Sequence, residues 1–120
     1  MKEVPQTKYG RLMLASSIIF MAASNGEISR EQWGQLHSVV GADDSLLSEA
    51  MDKVRETPIE KFLTELSENL SSDDQKLCIL LNVLDSMLAD EQVAPEENSL
   101  FNKFKDSLDI PSQELDLYFN

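Results

Sequence analysis

The chain is poor in the residues on which most catalytic and cofactor sites are built. It holds one cysteine and one histidine in 120 residues. A lone Cys78 excludes an intrachain disulfide framework and any cysteine-based zinc site, and it fits a reducing compartment, so a cytoplasmic location is expected. No Gly-rich phosphate loop, no H-E-x-x-H and no G-x-S-x-G occurs anywhere. Basic residues are scarce as well: ten against 22 acidic ones leave a net charge of -12. Such a field repels phosphate backbones and anionic lipid, which removes nucleic acid and membrane from the expected partners. It favours cations and basic protein surfaces. No apolar run approaches the ~20 residues that span a bilayer.

What remains is the composition of a globular helical domain. Hydrophobic residues make up 42% of the chain, with only four Gly and four Pro. That suits one domain over residues 1–120 with a single core. Apolar positions recur at helical spacing: Leu12, Ala15, Ile18, Ile19 and Ala22 first, and later Leu46, Leu47, Ala50, Met51 and Val54. Ile59, Phe62, Leu63, Leu66 and Leu70 repeat the pattern, and Leu77, Leu80, Leu81, Leu84 and Leu88 give the strongest stripe. Hairpin turn pairs flanked by alternation are missing, so no strand is expected. Start signals divide the helices. Ser29 with Gln32 reads as a capping box, Thr57-Pro58-Ile59-Glu60 as another, and Ser72 to Gln75 as a third. Gly41 supplies a stop. The expectation is an all-α, compact bundle of about seven helices, near 7–24, 29–40, 44–56, 58–70, 73–89, 95–108 and 111–119.

The stretch "LMLASSIIFMAA" at 12–23, preceded by Lys8 and Arg11, has two readings: a signal-peptide core or a buried helix. An internal repeat favours the helix. Shifted by 65 residues, "LMLASSIIFMAASNGEISREQWGQL" (12–36) lies without a gap over "LCILLNVLDSMLADEQVAPEENSLF" (77–101). Leu12 meets Leu77, Ile18 meets Val83, Ile28 meets Val93, Glu31 meets Glu96 and Leu36 meets Phe101. Each copy reads as a long apolar helix, a short polar turn, one branched apolar residue and an amphipathic helix. Two pseudo-repeated helical hairpins packed together would bury both long helices. Acidic residues in a first helical turn, such as Glu31, Glu96 and Glu97, also favour the helix dipole, so folding alone accounts for them.

The turns "ASNGEISRE" (23–31) and "ADEQVAPEE" (89–97), with "LDIPSQEL" (108–115) after them, resemble the tellurite-resistance TerB family of helical domains. The likeness covers residues 12–115. It implies a mostly seven-helix fold, a bacterial cytoplasmic setting, a link to stress-response operons, and divalent-metal binding through acidic residues, without an established enzymatic activity. Each family turn prefers Asp followed by Gly. Here Asn25 replaces the Asp of the first copy, and Glu91 replaces the Gly of the second. Carried over by position, the metal candidates are Glu31 and Asn25 in the first copy and Asp90 and Glu96 in the second. Ca²⁺ or Mg²⁺ is the cation class that such hard oxygens suit, although no EF-hand loop is present.

Other chemistry-bearing residues have structural readings. His37 falls on a polar helix face, Cys78 lies between Leu77 and Ile79 in the most apolar helix, and Trp33 reads as core or as a contact patch. The C-terminal "LDLYFN" reads as docking on the domain, with homodimer formation as its competing use. The sequence thus points to a non-catalytic TerB-like stress-response module. It would act through a protein partner and take a divalent cation at its turns, with no cofactor required. A small metal-dependent hydrolase using the same turns and a metal-free adaptor stay open as alternatives.

Overall fold

The computed structural model describes residues 7–24, 28–41, 43–70, 73–88 and 95–110. Among them run six helices and no strand: α1 (Lys8–Ala23), α2 (Arg30–Val40), α3 (Asp44–Glu56), α4 (Ile59–Asn69), α5 (Asp73–Leu88) and α6 (Pro95–Leu108). Each agrees with an expected helix to within one residue at either end. The expected seventh, 111–119, lies outside the described residues. No helix among the described residues is long and apolar enough to cross a membrane.

The bundle is organised around α1. Its residues Met13, Leu14, Ala15, Ile18, Ile19, Met21 and Ala22 are all buried. They occupy nearly the whole circumference rather than the single stripe the spacing suggests, as expected for a helix with neighbours on every side. Those neighbours are α2, α3, α5 and α6. Ser16 and Ser17 are buried in the same helix, and their hydroxyls donate to the carbonyls of Leu12 and Met13 at 2.7 and 2.8 Å, which removes the cost of burying them. α5 follows α1 closely in character: Leu77 to Val83 are buried without interruption, whereas Leu88, the end of its expected stripe, is exposed. α1 packs on α2, α5 packs on α6, and α1 lies against α5.

Caps fix where the helices start and stop. Thr7 accepts from the Gly10 N–H at 3.0 Å, and Asp43 from the Leu46 N–H at 2.9 Å. Gly41 ends α2 with φ +64°, a backbone conformation that a side chain would strain, and its N–H reaches the His37 carbonyl. The expected cap at Thr57 is different. Thr57 ends α3, donating to the Lys53 carbonyl at 2.9 Å, while Pro58 takes the N-cap position of α4 and supplies no side-chain cap bond. The following proline holds Thr57 in extended backbone, at φ -115° and ψ 118°, so the two helices turn within two residues. Across that turn, Lys53 Nζ lies 2.7 Å from Glu65 Oε2 and ties α3 to α4.

An aromatic series joins α1, α4 and α6. The Phe62 ring centroid lies 4.8 Å from that of Phe20 and 6.4 Å from that of Phe104. Phe62 and Phe104 are fully buried, so the contacts add ring-edge attraction to ordinary burial. Truncation of Phe62 leaves a cavity shared by three helices. Phe62→Ala is expected to cost about 3–5 kcal/mol in urea unfolding, without loss of far-ultraviolet helical signal under native conditions.

Candidate functional site

The first inter-helix junction is built around Ser29 and Gln32. The Ser29 N–H donates to Gln32 Oε1 at 2.8 Å, and Ser29 Oγ accepts from the Gln32 N–H at 3.2 Å, the reciprocal box that the sequence predicts. Gln32 then does more than cap. It is fully buried, and its Nε2 donates to the Ser86 carbonyl at 2.8 Å. Ser86 lies in the last turn of α5, where carbonyls have no intrahelical donor, so one amide side chain satisfies the start of α2 and the end of α5.

Of the four metal candidates, Glu31 and Glu96 stand exposed in the first turns of α2 and α6. Asn25 and Asp90 lie outside the described residues. Among the described residues, no group of three or more His, Cys, Asp or Glu side chains comes together to hold a metal ion. The buried acid is the neighbour of Glu96. Glu97 is fully buried, at the position that the 65-residue shift aligns with Gln32. Its first-turn location hides this in the sequence, because exposed acids are common there. The alignment with the third residue of a capping box was the available signal.

α2 and α5 meet along a polar seam. Gln35 Nε2 donates to the Asn82 carbonyl at 2.8 Å, and Asn82 Nδ2 donates to the Cys78 carbonyl at 2.8 Å. Cys78 is buried, and desolvation raises its thiol pKa against a smaller lowering by Asn82, so the thiolate is disfavoured. Asp85 lies one turn beyond Asn82 at the exposed margin of the seam, where desolvation by the neighbouring helix surface raises its carboxyl pKa. His37 is exposed, 6.2 Å from the half-buried Trp33 ring. Trp33 packs against the core at its edge, so the two readings of that residue divide between its faces.

A different feature dominates the opposite edge, where α1 touches α6. The end of α1, the α3–α4 turn and α6 enclose an open groove of 580 Å³. Its walls are mostly apolar, from Phe20, Ala23, Val54, Pro58, Ile59 and Leu100, with Ser24 and Thr57 among them. Arg55 and Glu56 also line it, and Arg55 Nη1 is paired with Asp52 at 3.1 Å. Neither the spacing nor any motif marks this groove, since its walls come from the margins of four helices. The repeat offers a partial signal. Phe20 aligns with Asp85, and Leu100 aligns with Gln35, so the α1–α6 edge carries apolar residues where the α5–α2 edge carries polar ones.

Comparison with protein-family models, with characterised sequences and with solved structures finds no match to this chain.

Two substitutions check the seam. Gln32→Ala removes the capping box and strands the Ser86 carbonyl. It is expected to cost about 1–3 kcal/mol in urea unfolding, with Gln32→Glu recovering the cap but not the contact to Ser86. For Asp85 the raised folded pKa means that the native state binds a proton more tightly than the unfolded chain. This contribution is stabilising below the unfolded pKa and is lost as pH rises through the folded one. Asp85→Asn is therefore expected to raise the urea midpoint at pH 7, and the difference from wild type should shrink as pH falls through the carboxylate range.

Proposed function

We propose that the chain is a non-catalytic, TerB-type helical module of the bacterial stress response, which acts by docking a protein partner and takes up a divalent cation weakly at its acidic helix starts. The observation that carries the docking half is the open apolar groove of 580 Å³ at the α1–α6 edge. It is large enough for anchoring side chains and too open to enclose a small molecule, whose sites bury most of the ligand surface. The TerB reading is supported by the order of elements: a long apolar helix, a turn and an amphipathic helix, twice over, with α1 on α2 and α5 on α6. A pseudo-twofold arrangement of the two hairpins follows naturally from that order.

The cation half rests on donor chemistry. Glu31 and Glu96 offer hard carboxylate oxygens, Asp90 a third and Asn25 a carbonyl, which suit Ca²⁺ or Mg²⁺ rather than a transition metal. Ca²⁺ takes six to eight oxygens. The exposed placement of Glu31 and Glu96 leaves water to supply much of that shell, and weak affinity follows.

Calorimetric titration with Ca²⁺ and with Mg²⁺ tests this half. Wild type is expected to bind with a Kd in the range of about 10⁻⁴–10⁻³ M, and Asp90→Ala/Glu96→Ala to lose that heat. Equal, negligible heats from both proteins would remove the cation and leave a metal-free adaptor.

A further inference from the structure

The groove has an electrostatic setting that narrows its occupant. Glu56 lines it and forms no ion pair among the described residues. Glu96 stands exposed one helical turn before Leu100 on the same side of α6, and it too forms no ion pair among the described residues. The basic groups at this edge are already engaged. Arg55 is held by Asp52 at 3.1 Å, and Lys103 by Glu60 at 2.9 Å. The edge thus presents a mostly apolar trough with Glu56 on its wall and Glu96 one helical turn from the lining Leu100, on a chain of net charge -12.

Resting on the docking reading above, we infer that the groove receives a basic amphipathic helix from another protein. Its apolar side chains at i, i+3, i+4 and i+7 enter between Phe20, Val54 and Leu100, and its lysines or arginines flank them to meet Glu56 and Glu96. A second copy of this chain is the wrong partner on charge, since two surfaces of like sign repel. The contact with Phe62 accounts for part of the half-buried Phe20 ring, which also lines the trough. The aligned positions Asp85 and Gln35 are polar, so neither Phe20 nor Leu100 is dictated by the repeat. Both are half-buried, which leaves apolar surface in water until a partner covers it.

Three fluorescein-labelled peptides of about five helical turns test the inference by anisotropy. All carry leucine at i, i+3, i+4 and i+7, and their remaining positions are lysine-rich, glutamate-rich or glutamine-rich. The 120-residue chain is expected to bind the lysine peptide at least about tenfold more tightly than the other two, with the advantage fading as salt shortens the screening length. Glu56→Lys/Glu96→Lys should remove that advantage. Ala23→Trp, which fills the groove from an exposed position, and Leu100→Gln should each weaken the lysine peptide about tenfold or more, with circular dichroism unchanged. Binding that the groove variants abolish but that ignores peptide charge overturns the basic partner and leaves the docking reading standing. No binding by any peptide overturns both. Lysine-peptide binding that survives Ala23→Trp and Leu100→Gln is general attraction to an acidic surface and overturns the groove as its site. Tighter binding by a synthetic peptide of residues 111–120 makes the chain's own tail the occupant. A sedimenting dimer that Ala23→Trp dissociates makes it a second copy, and either result overturns the inference.

Discussion

Contact between α1 and α5 is the constraint to which the other helices answer. Both are long for their apolar content, and both bury residues around most of their circumference instead of along one stripe. A helix of that kind has no face to turn to water, so two of them pressed together still need covering on their outer sides. α2, α3 and α6 cover α1, α2 and α6 cover α5, and α4 closes the structure through α6 and the Phe20–Phe62–Phe104 series. Each fully buried leucine, isoleucine or methionine contributes about 1.5–3 kcal/mol relative to exposure. Burial on both central helices therefore outweighs any single cap or ion pair in the molecule.

Such a core leaves polar atoms in dry surroundings, and the sequence answers locally. Ser16 and Ser17 bond back to their own helix. Asn82 does likewise and also accepts from Gln35. Gln32 joins a helix start to a helix end that would otherwise both expose backbone groups to an apolar interior. The contrast with the surface ion pairs is one of environment. Arg55–Asp52 and Lys103–Glu60 are exposed and screened, worth at most about 1 kcal/mol each, whereas stranding a buried carbonyl or amide forfeits its full desolvation cost. The α2–α5 seam is consequently where the bundle's register is specified, and the apolar contacts supply the bulk energy.

Much of the architecture was legible because it rests on periodicity and capping, both of which are properties of short sequence windows. Six helices, the Ser29–Gln32 box and the Gly41 stop all have their cause within a few residues. Thr57 was misread as a helix start because its neighbour is a proline whose effect reaches backwards: it holds Thr57 extended and makes it the end of α3. The acidic turns were legible as acidic, but not which acid is buried. Glu96 and Glu97 are adjacent and chemically equal, and only the packing of α6 sends Glu97 inward and leaves Glu96 in water. The groove was the least legible feature, since Phe20, Val54, Ile59 and Leu100 each sit at the margin of a different helix's apolar stripe, and its walls come from three separate stretches, 20–24, 54–59 and Leu100, that only the tertiary fold brings together.

Those margins also explain how the α1–α6 edge can differ from the α5–α2 edge, which the 65-residue shift aligns with it in sequence, without disturbing the core. Residues at the border of a stripe are half-buried or exposed rather than core, so Phe20 and Asp85 both fit sixteen-residue helices, α1 and α5, while Leu100 fits α6 and Gln35 fits α2. At the α5–α2 edge the choice of polar residues closes the contact with hydrogen bonds. At the α1–α6 edge the choice of apolar residues leaves it open. Charge and shape then act over different ranges. For the basic helix proposed as occupant, a net charge of -12, felt at about the 8 Å screening length of physiological salt, would govern how often it arrives. The trough governs how long it stays, because dissociation must return its apolar surface to water. Neither property alone selects a partner: acidity attracts any cation, and an apolar groove admits any amphipathic helix. Their coincidence on one edge is the ground on which the preference is proposed.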